Sequence, residues 1–149
     1  MSKLETLQTF LDYHGIRFFS AKEVTLQRRE GRYYVPEEGQ LWWRILPTLK
    51  AADAIRLGLG APIRLVSGIR SESYNDLVGG APQSEHKECR AVDIQPMDPA
   101  KMEEMRKIAI AVVAALRSTG LNVALIHYDT FIHIDIGSKR RRNLDKDMR

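Results

Sequence analysis

The last third of the chain constrains the fold most. Residues 122–127 and 131–136 are both rich in apolar and β-branched side chains, and only Tyr128-Asp129-Thr130 separates them. Both read as strands, a close pair at the end of the chain. A helix precedes them: Asp98-Pro99 supplies an N-cap with proline at the first helical position, and Gly120 stops it after about Ser118. Two further short segments read as strands, the β-branched run 63–66 behind Pro62 and the alternating stretch 90–94. Strands interrupted by helices of unequal length, with a close pair at the end, predict an α+β fold, a small mainly antiparallel sheet flanked by helices.

The first half carries weaker signals. Residues 3–13 have helical spacing, with Leu4, Leu7, Phe10 and Leu11 on one face and Gly15 beyond the end. Ser20 and Glu23 have the spacing of a capping box opening a short turn. The stretch 21–40 is charged, contains Gly31, Pro36 and Gly39, and reads as loop. From 41 to 57, Leu46, Leu49, Ala52 and Ile55 again have helical spacing, and Pro47 either kinks that helix or begins a new one. Residues 71–78 read as a short helix closed by Gly79-Gly80.

No repeat, low-complexity tract or linker interrupts the 149 residues, so 1–137 is expected to be one domain and 138–149 a basic tail. A chain of this length buries one core without staples. Its 44% hydrophobic and 28% charged residues exclude a disordered or fibrous protein. The longest apolar stretch, 108–116, is far short of the roughly 20 residues that span a bilayer. The start lacks a signal-peptide core, so synthesis in the cytoplasm is expected. The single cysteine, Cys89, excludes an internal disulfide framework. Much of the net charge of +4 lies in SKRRRNLDKDMR, a tail that could touch nucleic acid, an anionic envelope polymer or only solvent. No aromatic residue is interleaved with its arginines, which speaks against nucleic acid.

Three segments carry chemistry: SGIRSESYN at 67–75, SEHKECRAVD at 84–93 and FIHIDIG at 131–137. His86 and Asp93 are seven residues apart, one in a loop and one in a strand, so they can converge on a point. His133 lies between Ile132 and Ile134 in an apolar strand, where a core histidine would also be found. Two histidines and a carboxylate are a usual catalytic zinc set, with the fourth tetrahedral position left open.

The three segments resemble, in the same order, the pattern SGxRxxxxN, SxHxxGxAxD, FxHxD. That pattern belongs to the family of zinc D-Ala-D-Ala carboxypeptidases, L-alanyl-D-glutamate endolysins and murein endopeptidases, which share a hedgehog-like peptidase fold. The resemblance covers about residues 41–137. It implies that His86, Asp93 and His133 bind Zn2+, and that Arg70 holds a substrate carbonyl or carboxylate and stabilises the oxyanion. It also implies that Ser84 meets the substrate or orients His86, and that Asp135 supports a ligand histidine.

The sequence departs from that pattern in two places. Where many members carry an acidic general base three residues before the last histidine, this chain has Thr130, and Asp129 is the nearest carboxylate for proton transfer. In an extended strand the two would face opposite ways. Cys89 replaces the glycine of SxHxxGxAxD, at a position suited to positive φ. It either joins the metal, closing the site, or sits buried as an idle thiol. His127 is a further imidazole with no assigned part.

Two functions follow from the resemblance. One is a zinc metallopeptidase acting on peptidoglycan stem peptides, as a phage or prophage lysis enzyme or as a trimmer of recycled wall peptides. The other is a catalytically inactive, zinc-stabilised module that binds wall peptide or serves a phage particle or secretion machine.

Overall fold

Helix α1 (Lys3–Tyr13) begins where the sequence satisfies its first orphan N–H groups. The Ser2 hydroxyl accepts from the Glu5 N–H at 3.1 Å, and the Glu5 carboxylate accepts from the Ser2 N–H at 2.8 Å. Leu7 and Leu11 are fully buried, and Leu4 and Phe10 pack beside them. Ser20 and Glu23 repeat the capping box to start α2 (Ala21–Thr25). The computed structural model describes residues 1–37 and 39–137; the basic tail at 138–149 lies outside the described residues, with the expectations placed on it.

The stretch 21–40 is not the loop expected. Besides α2 it holds a hairpin, β1 (Leu26–Gln27) and β2 (Arg32–Tyr33), with Leu26 opposite Tyr33, and a 3-10 turn at Gly39–Leu41. Strands of two residues offer no alternation to read, so a charged sequence hides them. Helix α3 (Trp42–Leu59) runs through Pro47 as one helix and ends at Gly60, whose φ of 66° closes it.

The main sheet has strand order β3-β4-β6-β5, antiparallel throughout, from β3 (Ile63–Ser67), β4 (Ala91–Pro96), β5 (Val123–His127) and β6 (Ile132–Ile136). Between β3 and β4 lie α4 (Glu72–Leu77) and the loop that carries His86. Between β4 and β5 lies α5 (Met102–Ser118), entered through Pro99–Lys101 with the Asp98 carboxylate accepting from the Ala100 N–H at 3.0 Å. This is the α+β architecture, small antiparallel sheets with helices against them.

The two-residue period of the strands sorts the sheet into two faces. Leu65, Val92, Ile94, Leu125, Ile132 and Ile134 point into a core shared with Leu49 and Ile55 of α3 and Met105, Ala109 and Val113 of α5. Burying each such side chain contributes about 1.5–3 kcal/mol. The opposite face carries Asp93, His133 and Asp135. On β3 the register jumps between Leu65, opposite Ile94, and Ser67, opposite Asp93. That bulge spends an extra residue of β3 against β4. Among the described residues, no helix is long and apolar enough to cross a membrane.

Candidate metal centre

The register of β4 and β6 sets Asp93 directly opposite His133, and Asp93 Oδ1 lies 2.9 Å from His133 Nδ1. His86 arrives from the loop before β4 and puts Nε2 3.2 Å from Asp93 Oδ2. One ligand atom from each of His86, Asp93 and His133 falls within 4.8 Å of the others. The other nitrogen of each imidazole is occupied. His86 Nδ1 lies 2.7 Å from the Gly68 carbonyl, which can only accept, so Nδ1 carries the proton and Nε2 presents its lone pair. His133 Nε2 is held by Asp135 Oδ2 at 2.7 Å. A carbonyl or carboxylate behind each histidine is how metal-ligating imidazoles are oriented. The donor set therefore fits a zinc ion with one coordination position open. Cys89 is not among these ligands.

Charge is distributed accordingly. Burial alone would lower the pKa of His133, but the hydrogen bonds and charges of Asp135 and Asp93 push it up to about 9. Burial would raise Asp93, yet His86 and His133 hold it well below the usual carboxylate range. For His86, burial dominates over the pull of Asp93 and moves it down. Without metal, the trio is thus a carboxylate between one neutral and one protonated imidazole.

The motif SGIRSESYN proves to be a clamp for Arg70. Its Nε donates to the Ser67 hydroxyl at 3.0 Å and its Nη1 to Asn75 Oδ1 at 3.1 Å, while Nη2 stands 3.6 Å from Asp93 Oδ2. Burial lowers the Arg70 pKa, opposed by Asp93 and then by Tyr74 and Tyr128. Asn75 belongs to α4, capped by Ser71, and donates in turn to the Ala81 carbonyl at 2.9 Å. Two glycines make room. A Cβ on Gly80 would stand 2.1 Å from Asn75 Oδ1, and one on Gly68 would stand 2.4 Å from the Val24 carbonyl oxygen. That second approach seats the end of α2 against the chain leaving β3, with Gly68 bound to His86.

These groups line a cavity of about 1010 Å³. One wall is the loop 78–85, including Ser84, whose hydroxyl accepts from the His86 N–H at 3.2 Å. The other is Ile126 with Tyr128 and Phe131, whose rings stack at 4.7 Å and 14°. Both aromatic residues flank the turn ahead of His133, but nothing local in the sequence marks them as a cavity wall.

Asp129 is not brought to the trio. The Tyr128 N–H donates to the Phe131 carbonyl at 3.0 Å, closing a tight turn. Tyr128 and Phe131 face the cavity, while Asp129 and Thr130 line a separate hollow of about 300 Å³ with Arg64 and Gln95. His127, opposite Ile132 on β5, does not line the larger cavity either. Cys89 is buried with φ of 61°, the left-handed conformation that the glycine of the motif would adopt freely.

Residues 17–135 match the family model described as Peptidase M15, a span that includes all three motif segments except the final two residues. No curated protein and no solved structure matches the chain.

Proposed function

Since the chain belongs to the peptidase M15 family, a family of metallopeptidases, we propose that it is a zinc-dependent hydrolase of peptidoglycan stem peptides. The bond cut is an amide, as in a D-Ala-D-Ala carboxypeptidase or an endolysin-like endopeptidase. The observation that carries this reading is the convergence of His86, Asp93 and His133 at the wall of a peptide-sized cavity that also presents Arg70.

Zinc held by His86 Nε2, the Asp93 carboxylate and His133 Nδ1 would polarise the scissile carbonyl and make water nucleophilic near neutral pH. Asp135 keeps the His133 ring turned so that Nδ1 faces the site. Arg70, fixed by Ser67 and Asn75, offers charge where the carbonyl oxygen becomes negative. Because its guanidinium is positioned beforehand, little reorganisation is needed as that charge develops. Ser84 steadies the His86 backbone and lines the peptide channel. Tyr128 and Phe131 give the channel an apolar wall.

A second reading is favoured by one observation. Asp129 and Thr130 line the neighbouring hollow, so no carboxylate of that turn stands ready to take a proton from water. On that reading the chain is a zinc-stabilised module that binds wall peptide without cutting it.

Metal content and turnover separate the two. Wild type and His133→Ala are purified, their zinc is quantified, and each is incubated with muropeptides analysed by mass spectrometry. One zinc per wild-type chain, lost in the variant together with a cleavage product, establishes the peptidase and identifies its bond. Stoichiometric zinc without cleavage selects the binding module, and absence of zinc from both proteins removes both readings.

A further inference from the structure

We infer that Gln27 is a positioning residue for Arg70, acting on the backbone either side of it. The inference rests on the proposal that Arg70 works on substrate.

Gln27 is 1% exposed, and a buried primary amide is costly unless its hydrogen bonds are made. Its Nε2 donates to the Thr25 carbonyl at 2.9 Å and to the Ile69 carbonyl at 2.8 Å. Its Oε1 accepts from the Ser71 N–H at 3.3 Å. Ile69 and Ser71 are the immediate neighbours of Arg70, so a single side chain grips the peptide groups before and after it. From the opposite side, the Arg70 N–H donates to the His86 carbonyl at 3.0 Å. Arg70 is therefore held between the metal-ligand loop and the hairpin.

The rest of the hairpin is fastened alongside. Arg28 donates to the Leu65 and Val66 carbonyls, both at 3.1 Å, at the β3 bulge. The Arg29 N–H donates to the Tyr74 hydroxyl at 3.1 Å. Those bonds dock the hairpin, but among the described residues only the Gln27 side chain bonds both peptide groups flanking Arg70. The guanidinium contacts to Ser67 and Asn75 depend on where that backbone stands, so loosening it misplaces the charge while Asp93 and His133 keep their places on the β4–β6 ladder.

The test is a cycle of Gln27→Met, Arg70→Ala and the double variant, with zinc content and kcat/KM measured for each. Methionine keeps the shape and removes all three bonds. Gln27→Met is expected to keep its zinc and lose about tenfold to a hundredfold in kcat/KM. In the Arg70→Ala background it should cost little more, within about twofold, as residues acting through one another are non-additive. Losses that multiply across the cycle would overturn the inference.

A second readout needs no activity. The Arg70 Nε–H resonance, assigned by its loss in Arg70→Lys, should shift or broaden in Gln27→Met, and an unchanged resonance would overturn the inference. If wild type cuts nothing, the proposed function fails while this resonance still decides for or against Gln27. Should Gln27→Met not fold, Gln27→Leu, which removes the same three bonds with a shorter side chain, takes its place. Failure of both to fold would mark Gln27 as a strut of the fold and overturn the inference.

Discussion

Asp93 and His133 face one another across the β4–β6 ladder, and without metal their 2.9 Å contact is an ion pair. With His133 protonated up to about 9, metal uptake has to expel a proton from Nδ1. Affinity is expected to fall about tenfold per pH unit below that value and to level off above it. Chelator competition between pH 6 and pH 10 checks the slope. A flat profile would show that metal does not meet His133.

The same pair makes the stability of the metal-free chain depend on pH. The folded pKa of His133 lies above its ordinary 6.5, so its contribution is complete below that value and is lost as pH rises through about 9. Asp93 is held below its ordinary 3.8, so its contribution is present above that value and is lost in stronger acid. Thermal melts after chelation should therefore peak between the two and decline on the alkaline side first. Zinc should restore the alkaline side, because it replaces the proton.

Asp135→Asn keeps the size of the group behind His133 but removes its charge. Metal affinity should weaken about 10–100-fold without vanishing. Asp93→Asn removes a ligand and should abolish stoichiometric zinc. Measured metal affinities rank the two, and a tighter site in Asp93→Asn than in Asp135→Asn would contradict the assignment.

Gly80→Ala probes Arg70 through its clamp. The new Cβ would stand 2.1 Å from Asn75 Oδ1 and 2.9 Å from Arg70 Nη1, so one of them must move. Turnover is expected to drop about tenfold or more, with zinc retained. Steady-state kinetics beside metal analysis distinguishes this from unfolding.

Cys89→Gly should relieve the positive φ, worth about 1–2 kcal/mol, against the loss of a small buried side chain. The melting temperature is expected to rise by about 2–4 °C, with zinc content unchanged. Loss of zinc instead would return Cys89 to the metal.

Much of this was readable because local signals agreed with the fold. Ser2, Ser20 and Asp98 cap where their spacing says, and the apolar alternation of β4 and β6 leaves His133 and Asp93 on one face. His86, Asp93 and His133 stand out through ordered motifs, not through spacing alone. What escaped had no local signal. Gln27 lies in a two-residue strand within a charged stretch, and its partners are more than forty residues away. Asp129 neighbours the site in sequence, but the Tyr128–Phe131 turn decides which side it faces. The left-handed backbone at Cys89 could be anticipated, since a glycine was missing from a pattern that needed one.

The bulge on β3 has a consequence for how such a site can diverge. Asp93 and His133 are set by the β4–β6 pairing, whereas Arg70, and the Gly68 carbonyl that turns the His86 ring, follow the edge strand just past the bulge. Gaining or losing one residue there would shift Ser67, Gly68 and Arg70 together while leaving the β4–β6 pairing intact. The strand pair that seats Asp93 and His133 and the strand end that seats Arg70 are thus separately adjustable parts. An insertion or deletion at the sheet edge can therefore move the guanidinium relative to Asp93 and His133 with neither of those residues replaced.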